Sequence, residues 1–116
     1  MKCPYCGKNA QYAPNEEFYG KRYGKSYMAY FCKPCDAYVG THENSTRPLG
    51  TMANKELRDK RIETHTLFDP LWKLGSMSRK EAYNMLSKRL GRSVHIAQSN
   101  LEECEEIMKT LTPKTL

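Results

Sequence analysis

Cys3-Pro4-Tyr5-Cys6 and Cys32-Lys33-Pro34-Cys35 are two Cys-x-x-Cys pairs joined by a spacer of mainly strand-forming residues. A short turn aims two thiolates at one point, and two such turns complete a tetrahedron of sulfur. That is the coordination a structural Zn²⁺ takes. Four thiolates leave no position for water, so the site is predicted to be structural rather than catalytic. The competing reading is redox chemistry, but a thioredoxin-like motif needs one reactive pair at a helix start. Here two matched pairs stand among Pro and Gly. The spacing therefore predicts one Zn²⁺ on Cys3, Cys6, Cys32 and Cys35, with Cys104 away from it.

The elements that must position those ligands follow from the residues between and after them. Gln11-Tyr12-Ala13 and Glu17-Phe18-Tyr19 read as strand fragments interrupted by Pro14-Asn15. Gly20-Lys21-Arg22-Tyr23-Gly24 reads as a hairpin turn, with glycine at both ends. From Ser26 to Cys32 both alternating sets are apolar (Tyr27, Ala29, Phe31 and Met28, Tyr30, Cys32), which predicts a central strand covered on both faces. Ala37-Tyr38-Val39 makes a third strand ending at Gly40. Knuckle, hairpin, knuckle and strand give a zinc ribbon over residues 1–50, a three-stranded antiparallel sheet. A treble clef would open a helix at the second pair, which Ala-Tyr-Val-Gly does not suit.

Residues 51–116 read as helical and are expected to pack on the ribbon as one compact α+β unit. Thr51 is placed as the cap of a helix running to about Phe68, with Ala53, Leu57, Thr64 and Phe68 on one stripe. Arg61 and His65 share that stripe. Either Arg61 snorkels and His65 is a satisfied buried imidazole, or the two form an anion site, with His42 as a further member. Asp69-Pro70-Leu71-Trp72 supplies a cap, a first-turn proline and two anchors. Ser78-Arg79-Lys80-Glu81 is a capping box opening a helix that ends at Leu90-Gly91. Ser99 to Glu102 is read as a second box, opening a helix with Leu101, Cys104, Met108 and Leu111 inward and Glu102, Glu103, Glu105 and Glu106 outward. Those glutamates argue against its use as a DNA recognition helix.

At 116 residues the chain has room for one domain, or a small domain with an appendage. Met1-Lys2-Cys3 leads straight into the first pair, so no signal peptide is expected, and no apolar run approaches spanning length. A cytoplasmic setting that keeps thiols reduced, with no membrane partner, is the expectation. Net charge is +6, unevenly spread: residues 76–98 hold five basic residues against one acid, whereas 99–116 hold four acids against two. A basic chain with a zinc site suits a polyanionic partner, though such charge also serves solubility alone.

Taken over nearly its whole length, the sequence resembles a bacterial and phage family known only as a zinc-finger-containing domain of unknown function. The resemblance rests on Cys-Pro-Tyr-Cys-Gly, Tyr-Gly-Lys-Arg-Tyr-Gly, Cys-Asp-Ala-Tyr-Val-Gly and Pro-Leu-Gly-Thr-Met-Ala-Asn-Lys-Glu-Leu-Arg. His65 followed by Phe68-Asp69-Pro70-Leu71-Trp72, Ser78 to Tyr83, and Leu90-Gly91 extend it. After His95-Ile96 the chain departs from the family, with Ala97-Gln98-Ser99 in place of a glycine and an aromatic-acidic pair. The resemblance implies a metal site on the four paired cysteines, a phage or mobile-element origin, and no reaction.

Two functions compete. A non-enzymatic nucleic-acid-binding accessory protein would use Lys21, Arg22, Tyr23 and Lys25 at the hairpin tip, joined by Lys80 and Lys88. The same tip tyrosines also serve as core for a small sheet, with the lysines keeping it soluble. A protein-binding adaptor or inhibitor would use the helices, whose split charge suits a protein surface of both signs. A metal-dependent nuclease finds no open metal position and no Asp-His or His-Asn pair beside a knuckle. No small-molecule substrate is expected.

Overall fold

The computed structural model describes residues 1–19 and 28–112, apart from the side chain of Tyr19. They fall into two compact units, 1–56 and 57–116. No helix among the described residues is long and apolar enough to cross a membrane.

The first unit is a three-stranded antiparallel sheet in the order β1 (Gln11–Pro14), β2 (Met28–Cys32), β3 (Ala37–Gly40). The alternating apolar residues of β2 place it in the centre, as expected. Ala29 and Phe31 are fully buried on one face, where Phe18 packs 5.6 Å from the Phe31 ring and 5.2 Å from Tyr38. On the other face Tyr30 lies opposite Tyr12 in the register, with ring centroids 4.9 Å apart. Cys3, Cys32, Ala37, Val39 and Met52 form one buried cluster, so the metal ligands are part of the small core they organise.

Two expectations for this unit are corrected. The stretch read as a strand at Glu17-Phe18-Tyr19 is a single helical turn, α1 (Glu16–Tyr19). Asn15 is buried and its carbonyl accepts the Phe18 N–H at 3.1 Å, which turns the chain and brings Phe18 over the sheet. The helix placed from Thr51 starts at Lys55, as α2 (Lys55–Phe68). Residues before it are extended because Ala53 and Tyr38 exchange both backbone hydrogen bonds at 3.0 Å. Backbone pairing outweighs the weak preference of Thr51 for a cap, and it carries the ribbon's unit past residue 50 to residue 56.

The second unit takes up α2 from Leu57 and adds α3 (Pro70–Lys73), α4 (Arg79–Leu90), a 3₁₀ turn (Ile96–Gln98) and α5 (Leu101–Leu111). Its core is Phe68, Ala82, Tyr83, Leu86, Val94, Ile96 and Ile107, with Leu71, Trp72 and Leu90 packed at the margin. Phe68, placed on the inner stripe of its helix, is a central residue here, its ring 4.3 Å from that of Tyr83. The Ser78 capping box forms in full, and Gly91 ends α4 in the left-handed conformation at φ 70°. Asp69, read as a cap, makes no capping hydrogen bond. The second box is displaced by one residue. Asn100 caps α5 with Glu103 as its partner, because Ser99 is already engaged. Its hydroxyl donates to the His95 carbonyl at 2.8 Å, and its own carbonyl accepts from Arg61. Cys104 is fully buried, as expected of a core thiol, and Ile107 joins it on the inner face.

Candidate metal centre and basic cleft

Each Cys-x-x-Cys pair sits in a tight turn held by backbone hydrogen bonds. The first is held by the Cys3 N–H on the Lys8 carbonyl at 2.8 Å and the Gly7 N–H on the Cys3 carbonyl at 2.9 Å. In the second, the Asp36 N–H reaches the Lys33 carbonyl at 3.0 Å. The residue following each pair turns left-handed, Gly7 at φ 77° and Asp36 at φ 51°. Glycine does this without strain, and aspartate is among the few other residues that tolerate it. A further bond ties the first knuckle to the start of α2, from the Asn54 N–H to the Tyr5 hydroxyl at 3.0 Å.

These turns bring the sulfurs of Cys3, Cys6, Cys32 and Cys35 within 4.8 Å of one another. A tetrahedron with Zn–S bonds of ~2.3 Å has edges of roughly 3.8 Å, and Cys6 and Cys32 stand 3.8 Å apart, Sγ to Sγ. All four are free thiols. Burial pushes the Cys3 thiol up, but N–H donors from Tyr5 and Cys6 and the neighbouring thiols more than offset it, leaving Cys3 below the ordinary value. At Cys32 the N–H of Cys35 acts to lower the thiol, yet burial and the Cys6 and Cys3 thiols leave it raised. Burial and the other three thiols push Cys35 up to about 12. Four thiols so closely packed ionise together only around a cation. The donor set and the spacing fit one structural Zn²⁺.

A family model described as a zinc-finger-containing domain matches residues 1–114. The chain belongs to that family. No curated protein and no solved structure matches it. The zinc-finger description agrees with the sulfur cluster, and the family has no established function.

The other residues singled out in the sequence are placed as follows. Lys21, Arg22, Tyr23 and Lys25 lie outside the described residues. His42 is exposed in the first unit. In the second unit Arg61 gives Nε and Nη2 to the Ser99 carbonyl, at 3.1 and 2.9 Å. Nδ1 of His65 lies 3.0 Å from Oδ1 of Asp69, so these two stripe residues have separate partners. Burial raises the Cys104 thiol, against the lowering effect of the Thr64 hydroxyl beside it.

Lys80 and Lys88 are exposed on α4, and the structure adds what the sequence did not show around Lys80. The chain after Gly91 returns over that helix, so Ser93, Val94 and His95 face Arg79, Lys80, Tyr83 and Asn84 across a cleft of about 600 Å³. Tyr83 is the platform: the His95 ring packs at 5.1 Å and the Arg79 guanidinium at 5.6 Å from its centroid. Arg79 also lies 5.9 Å from the Trp72 ring. The only signal in the sequence was the excess of positive charge over 76–98; the contribution of His95 depends on a loop return that has no local signature.

Proposed function

We propose that the protein is a non-enzymatic nucleic-acid-binding accessory protein whose zinc centre is a structural support. One observation carries this reading: the basic and acidic helices of the second unit differ in how their charges are used. Arg79, Lys80 and Lys88 make no ion pair among the described residues. The glutamates of α5 are largely engaged. Arg92 binds Glu103 at 3.3 Å and Glu106 at 2.9 Å, and Lys60 binds Glu105. The Lys60 hydrogen bond holds the Glu105 carboxyl below its usual range, and Glu105 in turn raises Lys60. The acidic face that would repel phosphate is thus partly neutralised from within, while the cations of α4 remain available to it.

Fluorescence anisotropy of labelled oligonucleotides at two salt concentrations tests this. Three phosphate contacts to a single strand give a loss of roughly twentyfold between 50 and 200 mM salt. Reversing Lys80 and Lys88 to glutamate, or Lys21, Arg22 and Lys25 together, weakens binding while zinc content stays at one per chain. Absence of binding at low salt overturns the reading.

A protein adaptor is the second reading, favoured by Ile62 and Leu74, which are 64% and 83% exposed. They border a groove with Thr66 and Pro70 on the second unit. Exposed apolar side chains grouped around a groove suit a protein partner better than a phosphate backbone.

A further inference from the structure

We infer that the cleft beside α4 holds one unpaired nucleotide of a single strand, so that the protein selects single-stranded over double-stranded nucleic acid. The inference rests on the nucleic-acid reading above and names the site and the form of the ligand. The cleft's volume of about 600 Å³ lies within the range of small-ligand sites, larger than a phosphate group needs. Its chemistry is divided as a nucleotide's is. Lys80 offers a point charge for a phosphate, and Arg79 offers a planar fork that both pairs with phosphate and stacks. Val94 and Tyr83 form an apolar floor. His95 and Arg79 rest against the same tyrosine, two planar groups suited to stacking on a base. Asn84 and Ser93 bring an amide and a hydroxyl to the rim, able to donate and accept at a base edge.

No hydrogen bond or ion pair among the described residues occupies the side chains of Arg79, Lys80, Asn84 or Ser93. The Ser87 hydroxyl in the wall accepts the Val94 N–H at 3.1 Å, which pins the returning loop over the helix. A base paired and stacked inside a duplex presents only its edges in the grooves and cannot enter such a cleft. An unstacked base can. Lys88 lies on the same side of α4, two turns beyond Lys80, where the strand's next phosphates would pass.

The test uses the full zinc-loaded chain and its single tryptophan, Trp72, which senses Arg79 directly. The probes are a mixed-sequence deoxyribonucleotide strand of about 25 nucleotides, the duplex of that strand with its complement, long enough to stay paired at low salt, and deoxythymidine monophosphate. The expected result is binding of the strand at least tenfold tighter than the duplex, with a change in Trp72 emission. Asn84→Ala, at an exposed helix position where alanine is well tolerated, then weakens strand binding about tenfold and leaves duplex binding, helicity and zinc content unchanged. Equal binding of strand and duplex with Trp72 emission unmoved overturns the cleft assignment and leaves the nucleic-acid reading standing on phosphate contacts. Failure of both polymers to bind at low salt overturns both. If the monophosphate binds as tightly as the strand, the cleft is a free-nucleotide site and the single-strand assignment falls.

Discussion

The two units are of similar length, yet they are held together differently. Among the described residues the ribbon's buried cluster joins two of its own metal ligands to Ala37, Val39 and Met52, with Phe31 as the large buried side chain on the sheet's other face. The helical unit closes an apolar core around Phe68, Leu86, Ile96 and Ile107. A unit with few large apolar side chains needs a cross-link to offset its chain entropy, whereas one with a filled core does not. Proximity along one chain thus joins a metal-dependent fold to one that draws its stability from packing.

The largest effect that separates them is removal of zinc. Structural Zn²⁺ in small fingers contributes roughly 10–16 kcal/mol of apparent binding energy at neutral pH, and that energy is folding energy. Chelation, or Cys3→Ser, is therefore expected to abolish the ribbon's amide protection in hydrogen exchange. Trp72 packs against residues of the helical core, so its emission is expected to stay unchanged. A Trp72 signal lost together with the zinc would break the comparison and show that the helical unit leans on the ribbon.

Next in size is Phe68→Ala. Phe68 is fully buried among the helices, and truncation of a buried phenylalanine costs about 3–5 kcal/mol. Urea denaturation followed by Trp72 should show that loss, while zinc affinity measured by competition with a chelator holds. Trp72→Ala should cost less, since Trp72 is only half-buried.

The finest test uses two glycines with the same conformation, one in each unit. Gly7 follows the first knuckle at φ 77° and Gly91 caps α4 at φ 70°, and a methyl group added at either meets no atom within 4 Å. Alanine at each position therefore carries backbone strain alone, about 1–2 kcal/mol. In the ribbon that strain is expected to appear as weaker zinc binding, roughly tenfold or somewhat more, since 1.4 kcal/mol is a factor of ten. In the helical unit it is expected as a lower urea midpoint with zinc affinity unchanged.

What could be read from the sequence divides along a different line, between short-range patterns and distant partners. The metal ligands were legible because their information is local: two Cys-x-x-Cys turns need no knowledge of the rest. The central place of β2 and the Ser78 box were legible for the same reason, as alternation and a four-residue cap are short-range patterns. The misplaced elements each depended on a distant partner. Residues around Thr51 look like a helix start until Tyr38 pairs with Ala53. Glu17-Phe18-Tyr19 looks like a strand until Phe18 is needed over Phe31. Ser99 looks like a cap until Arg61 takes its carbonyl. The basic cleft was visible only as charge, because the loop that brings Ser93 and His95 to α4 is fixed by Val94 and Ile96 entering the core.

Within the sulfur cluster the first cysteine of each pair, Cys3 and Cys32, is buried, while Cys6 is exposed and Cys35 lies between. This asymmetry gives metal exchange a direction. With zinc bound, a chelator or an electrophile arriving from solvent would meet Cys6 first among the four sulfurs, and the tetrahedron would open at that corner. Cys3 is kept in place by its bond to Lys8 and by the N–H groups of Tyr5 and Cys6. The inner pair would stay in place if the outer ligand swung away, and reloading would then need only that corner to close. Exchange at the protein surface can then be faster than unfolding of the ribbon, even though the metal is what keeps the ribbon folded.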